Sequence, residues 1–75
     1  MSNLSAAKML LADAAHCTID AVPGDARIGG FERWDSLAHM HLLLALEARV
    51  GRTLDPDEAV AVESLRDVAR LLDAQ

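Results

Sequence analysis

The chain has 75 residues and a formal charge of -5, from twelve acidic and seven basic side chains. A length of this order holds one core, because a divided core could not outweigh the entropy of ordering the backbone, so residues 1–75 read as a single domain. The basic residues are scattered from Lys8 to Arg70 and form no cluster that could neutralise a phosphate backbone, which argues against nucleic acid as a partner and leaves basic protein surfaces as better candidates.

Hydrophobic residues make up 52%, but Phe31 and Trp34 are the only aromatics and Tyr is absent, so the core must be built from Leu, Ala, Val and Met. That composition favours helices over strands. Cys17 is the single cysteine, so no intrachain disulfide can form, and a small domain that manages without one fits a reducing compartment. Met1 to Met9 lacks a basic segment followed by a long apolar run, and no stretch approaches the about 18 uninterrupted apolar residues of a membrane span. The expected location is the cytoplasm, with no membrane association.

In chain order, Leu4, Ala7, Leu11 and Ala14 recur at helical spacing, which predicts a first helix from Leu4 to about Ala15 with Ser2 or Asn3 as N-cap. From Thr18 to Asp35 periodicity is broken by Val22, Pro23, Gly24, Asp25 and the pair Gly29 and Gly30. A loop this long in a small domain usually has a role, and Ile28 and Phe31 are apolar enough to pin it to the core. A central helix is predicted from Ser36 to about Val50. Leu37, Met40 and Leu44, with Leu43, Leu46 and Val50, read as one wide apolar stripe whose main duty is the core, and Gly51 supplies the stop. Asp55-Pro56-Asp57-Glu58 starts a short third helix ending near Val62, with Asp55 as cap, Pro56 at the first helical position and Glu58 where a capping box places it. Ser64 then caps a fourth helix carrying Leu65, Val68, Ala69 and Leu72 at i, i+3, i+4 and i+7. The predicted fold is all-α, a four-helix bundle with a long loop between helices one and two and a short third helix.

Asp35-Ser36-Leu37 lies where the long loop enters the central helix. The first N–H groups of a helix lack intrahelical partners and carry partial positive charge, so a phosphate ester on Ser36 would sit in a favourable field and within reach of a modifying enzyme. On residue chemistry alone, Ser36 reads first as a plain helix-starting hydroxyl. His39 and His41 are two apart, project in different directions and cannot jointly chelate a metal; they read as solvated histidines. His16 and Cys17 have the composition of a base and nucleophile, but adjacent residues at a helix end do not face each other and nothing supplies an oxyanion hole, so Cys17 reads as a half-buried bystander.

Trp34-Asp35-Ser36-Leu37, followed by a Leu-rich helix ending Leu44-Ala45-Leu46-Glu47, resembles the acyl carrier protein family over most of the chain. The resemblance implies that Ser36 receives 4'-phosphopantetheine from coenzyme A through a magnesium-dependent phosphopantetheinyl transferase. It makes Asp35 the acid beside the attachment site, places Leu37 and Met40 on the recognition helix, and implies that Asp35, Leu37, Met40 and Trp34 take part in partner recognition. It implies a non-catalytic monomer, loaded by an acyl ligase or acyltransferase and visited by downstream biosynthetic enzymes. Trp34 stands where fatty-acid carriers often have Gly, which points to a free-standing carrier in a specialised pathway. The central helix reads Ala38-His39-Met40-His41 with Glu47 as its one acid, so Asp55, Asp57, Glu58 and Glu63 can move an acidic contact to the third helix. Small residues there, Ala59 and Ala61, could admit an acyl chain between helices. Trp34 is expected mainly to anchor the loop.

Two other functions fit the same residues. An aminoacyl or peptidyl carrier loaded by an adenylating ligase shares the fold, although Arg33-Trp34-Asp35-Ser36 is not the usual peptidyl start. A helical protein-interaction domain would use Ser36 only structurally. A hydrolase is disfavoured because Trp34-Asp35-Ser36-Leu37-Ala38 lacks the flanking glycines of a nucleophile elbow.

Overall fold

A computed structural model describes residues 3–74. The predicted cap Ser2 lies outside them; Asn3 occupies the N-cap of the first helix, without a side-chain capping bond. Four α-helices follow, α1 (Leu4–Ala14), α2 (Ser36–Val50), α3 (Pro56–Ala61) and α4 (Leu65–Asp73), with a short 3-10 turn at Ile19–Ala21 in the long loop. No β-strand forms among the described residues, and no helix there is long and apolar enough to cross a membrane.

Helix α1 is the hub, packing against both α4 and α2. Its inward face is mostly alanine, with Ala7, Ala12 and Ala14 buried beside Leu11, and small side chains let two helices approach it closely. The helix ends in a Schellman arrangement, with the His16 N–H on the Asp13 carbonyl at 3.3 Å and the Cys17 N–H on the Ala12 carbonyl at 2.9 Å. The left-handed position of that motif, usually glycine, is His16 at φ 56°.

The long loop is held at several points. Its Ile28 N–H donates to the Glu63 carbonyl at 2.8 Å, and the Leu65 N–H donates to the Ala26 carbonyl at 3.1 Å, so a two-bond bridge joins its middle to the start of α4. Val22, Ala26 and Trp34 are buried, while Ile28 and Phe31 pack against the core half-covered, as their apolar character predicted.

Helix α2 has both predicted ends. Asp35 caps it, and Gly51 stops it at φ 77° with its N–H on the Glu47 carbonyl at 2.9 Å. A Cβ on Gly51 would meet nothing within 4 Å, so glycine is needed there for its backbone angle and not for space. The face it buries differs from the expected stripe. At about 100° per residue, Leu44 and Leu46 point to nearly opposite sides, and the residues grouped as one stripe divide between two. Ala38, Leu42 and Leu46 enter the core, with Leu43 and Val50 at its margin, whereas Leu37, Met40 and Leu44 are 60%, 60% and 59% exposed. The helix is apolar nearly all round, so periodicity could not choose the buried side; α1 and α4 choose it.

The remaining elements start on the caps read from the sequence. The Asp55 N–H donates to Glu58 Oε1 at 3.0 Å. Ser64 and Asp67 cap α4 reciprocally, the Ser64 N–H donating to Asp67 Oδ2 at 3.1 Å and the Asp67 N–H to Ser64 Oγ at 3.4 Å. Leu65, Val68, Ala69 and Leu72 of α4 are all buried, as their spacing required. By contrast α3 buries no residue, and is fastened by polar contacts. Arg52 forks onto both Glu58 carboxylate oxygens at 2.8 Å, and the Leu54 N–H donates to Glu47 Oε2 at 2.9 Å.

Replacing Leu42, fully buried, by Ala should cost about 2–5 kcal/mol in urea unfolding, most of the stability available to a chain of this size, while Leu44→Ala should change it by no more than about 0.5 kcal/mol. Equal effects of the two would contradict the assignment of faces. The Arg52 fork and the Asp55 N–H hold the Glu58 carboxyl well below its ordinary 4.5, down to about 2. Its contribution to stability is therefore whole above pH 4.5 and is lost as pH falls through about 2. Arg52→Gln should remove most of that acid-dependent component from an unfolding series across this range.

Candidate functional site

The junction of the long loop with α2 is built from its first turn upward. Asp35 sits in extended backbone, and its Oδ1 accepts the Ala38 N–H at 2.8 Å, so the carboxylate occupies the N-cap and shields one of the open donors of the helix. Ser36 is the first helical residue and not the cap. Its side chain is exposed, and among the described residues its hydroxyl has no hydrogen-bond partner. The N–H groups of Ser36 and Leu37 have no carbonyl one turn back to bind, so a positive backbone end lies beside a free hydroxyl.

Trp34 stands one residue before the cap and is 2% exposed. It anchors the loop, as expected, and at that burial it offers no surface to a partner. Its indole N–H donates to His39 Nδ1 at 3.0 Å, with ring centroids 6.0 Å apart. These two residues hold the N′ and N4 positions of α2, the places at which a hydrophobic staple fixes the entry angle of a chain into a helix. His39 is accordingly not the solvated histidine its sequence position suggested. It is half-buried, and burial lowers its pKa below the ordinary 6.5. The signal for this pair was the N′-to-N4 spacing of Trp34 and His39.

Leu37, Met40 and Leu44 continue from Ser36 as an exposed apolar stripe at i, i+3 and i+7, with His41 and Ala48 exposed on the same side. The stripe carries no acid. The single acid of α2, Glu47, is spent on the Leu54 N–H, and on α3 Glu58 is spent on Arg52, so Asp55, Asp57 and Glu63 supply the exposed negative charge of that region. Ala61 lines an open cleft of about 210 Å3 between α3 and α4 with Val62 and Leu71; Ala59 does not line it.

The remaining candidates stay apart. His16 and Cys17 are neighbours at the end of α1, His16 exposed and Cys17 half-buried, and the His16 ring meets that of His41 edge-on at 6.1 Å between centroids. Among the described residues no three His, Cys, Asp or Glu side chains are grouped so as to hold a metal ion. In comparisons with protein families, with curated proteins and with solved structures, nothing matches the chain.

Because the capping bond belongs to Asp35, Asp35→Ala should lower stability by about 1 kcal/mol and Asp35→Asn by much less, while Ser36→Ala should stay within about 0.5 kcal/mol of the parent. Urea midpoints of the three variants check this. A larger loss from Ser36→Ala than from Asp35→Ala would mean that the hydroxyl has a structural duty.

Proposed function

We propose that the chain is an acyl carrier in which Ser36 is esterified by phosphopantetheine and cargo travels as a thioester on the arm. The observation that carries this reading is an unengaged, exposed serine hydroxyl at the first position of a 15-residue helix, flanked by a carboxylate that caps the same helix. The four helices, the long loop before α2 and the short α3 are compatible with the acyl-carrier arrangement that the Trp34-Asp35-Ser36-Leu37 motif resembles.

The residues fit the group in charge and access. A phosphate ester on Ser36 would lie against the open N–H groups of the first turn, where a negative charge is stabilised. Asp35 keeps Ser36 at the surface by fixing where the helix begins. When attached, the arm supplies a thiol that the single, half-buried Cys17 is not placed to supply. The chain makes and breaks no bond of the cargo; by tethering, it presents the thioester to partner enzymes at an effective concentration on the order of millimolar. The exposed Leu37 and Met40 give a transferase or a loading enzyme an apolar strip next to the attachment point. Trp34 before the motif favours a specialised pathway over housekeeping fatty-acid synthesis.

One observation favours a second reading. The Leu37, Met40 and Leu44 stripe would equally serve a helical interaction domain that is never modified. Incubating the purified chain with coenzyme A, magnesium and a permissive phosphopantetheinyl transferase should raise its intact mass by one arm, and Ser36→Ala should stay folded and unmodified. No mass gain in the parent, with the transferase active on a control carrier, would leave the interaction domain as the better reading.

A further inference from the structure

Trp34 and His39 form a staple across the first turn of α2. We propose that His39 is a positioning residue for Ser36, holding the start of α2 through Trp34 when its imidazole is neutral and releasing it when the imidazole is protonated. This rests on the carrier reading for its consequence but not for its geometry.

An indole N–H only donates, so the 3.0 Å bond to His39 Nδ1 requires a bare lone pair on that nitrogen and the ring proton on Nε2. Imidazolium carries a proton on both nitrogens. Uptake of a proton from solvent at Nδ1 therefore ends the bond and leaves the Trp34 N–H facing another donor at a 2% exposed site, where water cannot readily replace the acceptor. The charge also enters a half-buried place, in keeping with the lowering of His39 by burial alone. Both effects oppose protonation in the closed arrangement, so protonation favours an opened one. Trp34 is two residues from Ser36 along the chain, and an opened staple loosens the backbone that sets the Asp35 cap and the angle at which the loop enters α2.

Among the described residues no charged side chain bonds to either ring of this pair, and Glu32, two residues before Trp34, lines a groove with Ala15, Arg33 and Asp35. Asp35, one turn before His39, has Oδ1 on the Ala38 N–H, and Arg33 of the loop donates to the His16 carbonyl at 3.4 Å. On α1, Lys8 reaches toward Gly24, and Asp13 lines a groove with Met9, Cys17 and Arg49. On α4, Asp67 is bound to Ser64 and to Arg70, Asp73 to Asn3, and Arg66 lies on the outer groove with Leu4. His41, two residues on, pairs with His16. The sign follows. With its pKa lowered in the folded chain, His39 keeps the staple closed above pH 6.5 and the closed form is lost as pH falls through the lowered value.

Trp34 is the single tryptophan, so its indole N–H is one resolved resonance in the nitrogen-15-labelled full chain. Followed from about pH 8 to about pH 5, it should move in one step with a midpoint below 6.5, shared by the His39 ring nitrogens, which above that midpoint should show the proton on Nε2. His39→Asn keeps an acceptor near the Nδ1 position without titrating, and should give a flat indole signal. A flat signal in the parent, the opposite tautomer, or the same step in His39→Asn would each overturn the staple; the first two need no variant to fold. The rate of Ser36 modification by a permissive transferase, taken as the ratio of parent to His39→Asn so that the enzyme's own pH profile cancels, should fall roughly threefold or more over about two pH units. A constant ratio would overturn the positioning role. Should neither protein be modified at any pH, the carrier reading fails and the positioning role with it, while the indole titration still decides the staple by itself.

Discussion

Everything at the Ser36 end of the molecule depends on one buried side chain. Trp34 is the largest residue of the core, and its backbone leads directly into the cap of α2. Burying a residue of that size removes on the order of 200 Å2 from water, which in a domain with so few large side chains outweighs most other single contributions. The condition for that burial is an acceptor for the indole N–H, and His39 provides it from one turn inside the helix. The loop, the cap and the first turn of α2 are thereby coupled. The direction in which Ser36 leaves the surface is set by packing two residues away.

That coupling explains how a long loop can position a reactive group without regular structure. The loop is tied in the middle by the Arg27 and Ser64 bridge, anchored in the core by Val22 and Ala26, and terminated by Trp34. At the other pole, the α2 to α3 connection buries Leu54 and adds charge and hydrogen bonds through Glu47, Arg52 and Glu58. Such contacts are weak in water and individually replaceable. The two poles differ in where the apolar anchor lies: Trp34 leads directly into the cap of α2, whereas α3 buries no residue of its own and is pinned at its two ends by Leu54 and Val62.

The exposed stripe on α2 follows from the same economy. A chain this small has too little core to cover every leucine of an almost wholly apolar helix, and the side left over runs from Leu37 to Leu44, beginning next to Ser36. The acids of α2 and α3 that a charge count would assign to partner contact are partly consumed within the chain, Glu47 by a backbone N–H and Glu58 by Arg52.

Local chemistry alone determined the helix ends. Asp35, Gly51, Asp55-Pro56 and Ser64 with Asp67 each act within a few residues, on backbone groups whose partners are fixed by chain connectivity, so the bounds of α2, α3 and α4 could be read directly. The buried face of α4 was equally legible, because polar residues occupy its other side. The buried face of α2 was not, since leucines surround it and only the positions of α1 and α4 decide which are covered. The partnership of Trp34 with His39 was likewise settled in three dimensions. The N′-to-N4 spacing of the two residues permits the contact, but a histidine on an exposed-looking helix turn becomes an acceptor only once an indole is folded against it.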